Sequence, residues 1–187
     1  PVCGSGYYRY GGYYSLQDVA EIVQYAKKVN IEVMPEIDLP AHSWSTIQAM
    51  PELIDKASSQ TFNDVGNYAN NTINPSLDYV WKFIEKIFAD VAENFPFSII
   101  HIGVDEIPEK AWEGSSKMKD FMNKNNINKF SEVQDYFVNR LINILKNVNK
   151  RTASWNEAVV KNYSNIDSAN EISDINKRCL VFAWEDT

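Results

Sequence analysis

Two acids stand side by side where an apolar run gives out, in His101-Ile102-Gly103-Val104-Asp105-Glu106. Adjacent carboxylates repel, so one of the two should hold its proton more tightly than an isolated acid. A carboxyl kept protonated near neutral pH is what general acid catalysis needs. A solvated Asp-Glu pair in a loop is the commoner source of such a dipeptide. The setting favours chemistry here: the pair closes an apolar strand, and Pro35-Glu36-Ile37-Asp38 is a second acidic strand end upstream.

Asp38 and His42 lie four apart across Leu39-Pro40-Ala41. Pro40 excludes a regular helix, so the segment is a turn at a strand end. The pair either braces that turn through a local hydrogen bond or sets a histidine beside acids whose protonation it tunes, and the second reading is preferred. Glu36 reads as structural, pairing with a lysine or a backbone amide. His101, inside its strand, reads as a satisfied core histidine. Trp155 and Trp184 end two further strands, where an indole is either core or the wall of a pocket.

The elements that must position these residues follow from periodicity. Residues 1–14, rich in Gly and Tyr, read as a loop. Ser15 with Asp18 forms a capping box, and Val19, Ile22, Val23 and Ala26 follow at helical spacing, so a helix is predicted over 16–29 and ended by Asn30. A short strand over 31–34 is closed by Pro35, and 43–50 suits a short helix. Residues 54–74 lack a period and predict a long surface loop. Pro75 fits the first turn of a second long helix with Tyr79, Phe83, Ile87 and Val91 on its apolar face. A strand over 98–103 comes next, then a partly helical polar segment over 109–126. Ser131, with Gln134 in the capping-box position, opens a third long helix that turns Val133, Phe137, Leu141 and Ile144 to the core. Residues 151–155 and 179–184 are the last strands.

Alternating helices and strands imply parallel strands with right-handed crossovers, in an open doubly wound sheet or a barrel. Polar residues sit at four strand ends: Glu36 and Asp38, Asp105 and Glu106, Asn156 and Glu157, Glu185 and Asp186. That distribution favours a barrel, whose site draws on many strand ends and which takes about 250 residues when complete. The prediction is a single α/β domain over 1–187, a partial parallel (β/α) barrel whose strand ends meet on one rim.

The 187 residues suffice for one sizeable core. A net charge of -7 excludes a basic face for nucleic acid or an anionic membrane, and no stretch is long enough to span a bilayer. Cys3 and Cys179 make neither a metal spacing nor a disulfide framework, and Cys179 reads as a small buried hydrophobe. No signal peptide is visible and no Met opens the chain, so it reads as a piece of a longer protein whose location the sequence leaves open.

Together Gly11-Gly12-Tyr13-Tyr14-Ser15, Met34-Pro35-Glu36-Ile37-Asp38-Leu39-Pro40-Ala41-His42, His101-Ile102-Gly103-Val104-Asp105-Glu106 and Trp155-Asn156-Glu157 resemble glycoside hydrolase family 20, the β-N-acetylhexosaminidases. Pro40-Ala41-His42 and Asn74-Pro75-Ser76-Leu77-Asp78 look closest to its chitobiase branch. The resemblance runs from about Gly11 to Trp184 and implies the third to sixth strands of a TIM-type barrel. The family's Arg on strand one, Asp on strand two, Tyr and Asp on strand seven, and Trp and Glu on strand eight have no counterpart here. The remaining strands of a full-length chain would be the partner of this segment.

The resemblance further implies a retaining, substrate-assisted hydrolysis of terminal β-linked N-acetylhexosamine from an oligosaccharide, an exception to the two-carboxylate scheme. Glu106 would be the acid and base. Asp105 would hold the acetamido group, and His42 would orient Glu106. Asp38, Gly103, Trp155, Trp184 and Glu157 would shape the sugar pocket, Gly103 by leaving room for the sugar. Val104 stands where the family usually has a second Gly, and is expected on the core side. Trp112 and the tyrosines Tyr7, Tyr8, Tyr10, Tyr13 and Tyr14 are weaker candidates, the tyrosines as a sugar platform or a packed loop. No metal or organic cofactor is expected, and the family suggests a periplasmic, secreted or lysosomal setting. Two other readings are a metal-dependent barrel hydrolase using Asp38, His42, His101, Asp105 and Glu106, and a non-catalytic sugar-binding relative.

Overall fold

Apolar periodicity becomes a parallel sheet flanked by helices in the computed structural model of the chain, which describes residues 2–3, 10–55, 71–108, 111–159 and 174–184. Near the N-terminus β1 (Val2–Cys3) pairs antiparallel with β2 (Tyr10–Gly11), where a loop was expected. A two-residue ladder is too short to leave a period-2 pattern in the sequence. Helix α1 (Leu16–Lys28) starts at the predicted box: Ser15 Oγ accepts from Asp18 N at 3.1 Å, and Asp18 Oδ2 accepts from Ser15 N at 2.7 Å. It stops at Asn30, whose φ of 58° is one that asparagine tolerates.

The strand expected over 31–34 lies further along. Ile31 is exposed, and pairing begins where Pro35 O accepts from His101 N. Ile37 N then donates to His101 O and Leu39 N to Ile102 O, so a parallel bridge joins Glu36 to His101. Helix α2 (Trp44–Ala49) follows as predicted. Residues 71–74, expected at the surface, are buried, with Ile73 N bonded to Pro40 O and Asn74 N to Leu53 O. Helix α3 (Asp78–Asn94) begins three residues after Pro75, because Asn74 Oδ1 holds Ser76 N at 2.9 Å in a preceding turn. Its buried stripe is Val80, Trp81, Ile84 and Phe88, while Tyr79 is exposed, so the apolar face is rotated from the predicted one.

Strand β3 (Ile99–His101) leads through α4 (Ser116–Lys124) to α5 (Phe130–Asn147). Helix α5 starts one residue before Ser131. Glu132, not Gln134, meets its first amides: Glu132 Oε2 accepts from Asn128 N at 2.7 Å. Val133, Phe137, Leu141 and Ile144 are buried as expected. Strands β4 (Arg151–Trp155) and β5 (Cys179–Phe182) complete a parallel sheet in the order β3-β4-β5, with Ile100 beside Thr152 and Ala153 beside Leu180.

The core lies between this sheet and the paired helices α3 and α5. Trp81 packs on Phe137 with ring centroids 5.3 Å apart, and Ile100, Ile102, Leu141 and Leu145 are fully buried around them. Cys179 is buried against Ser154, as a small apolar residue would be. The architecture is part of a parallel (β/α) barrel. Among the described residues no helix is long and apolar enough to cross a membrane.

Candidate active site

Neighbouring residues on a regular strand point to opposite faces, so adjacent acids should not share a pocket. This strand ends at His101, and the backbone then turns left-handed: φ is 68° at Gly103, 76° at Val104 and 50° at Glu106. The turn breaks the alternation. Asp105 and Glu106 both reach His42, whose Nε2 is 3.5 Å from Asp105 Oδ2 and 3.2 Å from Glu106 Oε2. Val104 goes the other way and is fully buried in the core, as expected. A left-handed conformation costs a β-branched residue about 1–2 kcal/mol. Burying a Val side chain returns roughly 1.5–3 kcal/mol, enough to hold the turn.

Asp38 enters this cluster from the neighbouring edge. Its Oδ1 accepts from Val104 N at 3.3 Å. A Cβ on Gly103 would overlap Asp38 Oδ1, so the absent side chain makes room for Asp38 rather than for a sugar. Burial pushes the Asp38 carboxyl up to about 8, with the charge of Asp105 and a hydrogen bond to it adding to the effect. A hydrogen bond between two carboxyl groups needs one proton between them. Asp105 Oδ1 is buried and makes no hydrogen bond among the described residues.

A second group of side chains adjoins the turn. Trp155 N donates to Gly103 O at 3.0 Å, and Trp155 Nε1 donates to Glu36 Oε1 at 2.9 Å. Glu36 therefore pairs with an indole instead of a lysine or a backbone amide, and its Oε1 also lies 3.1 Å from His101 Nδ1. Trp155 meets Trp184 edge-on at 6.5 Å, and Trp184 Nε1 donates to Glu157 Oε2 at 3.0 Å. Gln134, read from sequence as a cap, donates to Glu157 O at 2.6 Å and braces that turn. No local sequence signal marked this contact, because it links positions 23 residues apart.

The ends bearing Asp38, Asp105, Trp155 and Trp184 thus converge. Trp112 does not join them. It is buried in a separate small cluster, with Nε1 bonded to Ile73 O. Tyr13 and Tyr14 are exposed among the described residues. Tyr7, Tyr8, Glu185, Asp186 and the side chain of Tyr10 lie outside the described residues.

One ligand atom each of Asp38, His42 and Asp105 lies within 4.8 Å of the others. The metal-dependent reading also requires His101, which turns instead to Glu36 and to Gly103 N. What remains is one imidazole beside the carboxyls of Asp38, Asp105 and Glu106, a donor set unlike the His-rich sites of hydrolytic zinc.

Comparison with known proteins agrees with this geometry. A sequence model of the glycosyl hydrolase family 20 catalytic domain matches residues 5–187. A β-hexosaminidase from Vibrio furnissii is 33% identical over 151 residues, covering 80% of this chain and 25% of that protein. The human β-hexosaminidase subunit β is 29% identical over 153 residues, covering 81% of this chain and 27% of that protein. The crystal structure of an exo-β-N-acetylglucosaminidase from Vibrio harveyi, in complex with N-acetylglucosamine, superposes with a TM-score of 0.83 at 28% identity. It covers 96% of this chain and 26% of that one. The chain spans about a quarter of the length of these relatives.

Proposed function

The chain belongs to glycosyl hydrolase family 20, and on that footing we propose that the complete protein removes terminal β-linked N-acetylhexosamine from oligosaccharides by substrate-assisted, retaining hydrolysis. The observation that carries the reading is the turn at 103–106, which brings Asp105 and Glu106 to one side with His42 against both.

In this reading the acetamido oxygen of the substrate attacks the anomeric carbon as the glycosidic bond breaks. Glu106 gives its proton to the leaving oxygen. His42, 3.2 Å away, fixes the carboxyl that does so. Asp105 accepts the acetamido N–H and stands as counter-charge to the cyclic cation that forms. Its unpaired Oδ1 supports that role. Asp38, kept protonated by its burial, stands beside Asp105 and sets its orientation. Glu106, now ionised, takes a proton from water as it opens the cyclic intermediate, and the β configuration is retained. Trp155 and Trp184, spaced edge-on with Glu157 behind them, supply an apolar wall suited to the N-acetyl group. No step calls on a metal or organic cofactor. The rest of the barrel comes from chain beyond this segment.

The test is turnover by the complete protein of paired aryl β-N-acetylglucosaminides and β-glucosides. Hydrolysis of the first with the β-anomer as initial product is expected, and no turnover of the second, which lacks the nucleophile. Inversion, or equal rates on both sugars, overturns the proposal. Binding of N-acetylglucosamine without turnover would identify the sugar-binding alternative, and activity only on adding divalent ions the metal-dependent one.

A further inference from the structure

His101 is 2% exposed at the end of β3, wedged between the rings of Trp155 at 4.8 Å and Phe182 at 5.6 Å. Its Nδ1 has two claimants. Gly103 N lies 3.1 Å away and needs an acceptor, while Glu36 Oε1 lies 3.1 Å away and needs a donor. One ring nitrogen carries a lone pair or a proton, so it serves only one of them. The two claims are unequal. Gly103 is buried, and an unmet buried amide costs about 1–3 kcal/mol. The Glu36 side chain is 42% exposed and already accepts from Trp155 Nε1, so water meets its remaining need. Burial also favours the neutral ring, outweighing the carboxylates of Glu36 and Asp105 and the neighbouring Ser154 carbonyl.

We infer that His101 is a positioning residue for the paired acids: the lone pair on Nδ1 holds Gly103 N–H and so fixes the left-handed turn that carries Asp105 and Glu106 to the same side. The proton then falls to Nε2, which is buried without a hydrogen-bond partner among the described residues, the Ser154 carbonyl being the neighbour that favours a proton there. The same ring packs on Trp155, so the turn and the tryptophan wall are set by one side chain. A core histidine serving only to fill space would leave the turn with two anchors, buried Val104 and the Asp38 carboxylate on Val104 N, and with no acceptor for Gly103 N.

The kinetic arm of the test rests on the proposed acid role of Glu106, while the spectroscopic arm is independent of it. In the complete protein labelled with ¹⁵N-histidine, His101 should show an unprotonated, pyridine-type Nδ1 and a protonated Nε2. A protonated Nδ1 overturns the inference. His101→Phe fills the site without an acceptor, and His101→Asn returns an acceptor near the Nδ1 position. With aryl N-acetylglucosaminides of rising leaving-group pKa, His101→Phe should lower kcat on the order of tenfold for the poorest leaving groups, the value of one hydrogen bond. KM should stay within about threefold, since binding is less affected than chemistry. His101→Asn should recover most of the loss. A loss confined to KM, or an Asn variant as impaired as Phe, overturns the inference. Should the Phe protein not fold, His101→Gln, whose amide reaches the Nε2 position, takes its place. A wrong acid assignment would appear in Glu106→Gln itself and leave the nitrogen shifts unchanged.

Discussion

The carboxylate of Asp38 occupies the place where a side chain on Gly103 would begin. Two chain segments 65 positions apart therefore share one volume, and each dictates the other. Asp38 Oδ1 also holds Val104 N, so the same carboxyl that excludes a Cβ at 103 anchors the turn after it.

Gly103→Ala should damage both stability and catalysis. The new methyl meets the Asp38 backbone as well as its carboxyl, so no side-chain rotation relieves the clash. Overpacking of this kind costs about 1–3 kcal/mol, and the left-handed φ about 1–2 kcal/mol more. The urea midpoint and kcat/KM of the complete protein are the measurements. An alanine variant matching wild type in both would show that Asp38 is free to move aside.

The paired acids should separate by leaving group. Glu106→Gln removes the transferable proton and should lose on the order of a hundredfold or more on poor leaving groups, and less on very good ones. Asp105→Asn should slow both classes, because the acetamido group loses its acceptor and the cation its counter-charge. The readout is kcat/KM across aryl N-acetylglucosaminides of graded leaving-group pKa. A uniform loss for Glu106→Gln with a steep one for Asp105→Asn would exchange the two roles.

Asp38 should make stability fall towards alkaline pH. Its carboxyl is raised from 3.8 to about 8, so between those values the folded protein keeps a proton that the unfolded chain releases. The contribution is complete below about 4 and is lost as pH rises through 8. Asp38→Asn keeps the shape and an acceptor for Val104 N but cannot titrate. The Tm of the complete wild-type protein should drop more between pH 5 and pH 8 than that of the variant. Parallel Tm profiles for the two proteins would refute the shift.

The 187-residue segment alone should bind dyes that report exposed apolar surface and should unfold with weak cooperativity. At one edge Ile22, Tyr25, Val29 and Ile31 are exposed, and at the other Leu180, Phe182 and Trp184. Unpaired strand edges beside apolar faces invite association. A sharp monomeric transition with no dye binding would contradict this.

Residue type and local spacing were enough to place the capping box of Ser15 and Asp18, the core face of α5, and the apolar run ending in Asp105 and Glu106. These depend on contacts within a few residues, which leave a period in the chain. The motif resemblance also carried the family and the barrel class, since those residues lie in order along the sequence. Tertiary structure decided the rest. The strand expected over 31–34 forms its ladder at 35–39, because strand limits are set by the partner, here His101 and Ile102. The stripe of α3 is rotated because its Trp81 packs on Phe137 of α5, a partner distant in sequence. Glu36 took Trp155 as partner, and Gly103 made room for Asp38, through contacts more than 60 residues apart. Above all, Asp105 and Glu106 would point to opposite faces if the chain stayed extended, so their sharing one site required the strand to end or twist near Val104. Only the left-handed turn at 103–106, held by buried Val104 and the Asp38 carboxylate, turned both towards His42.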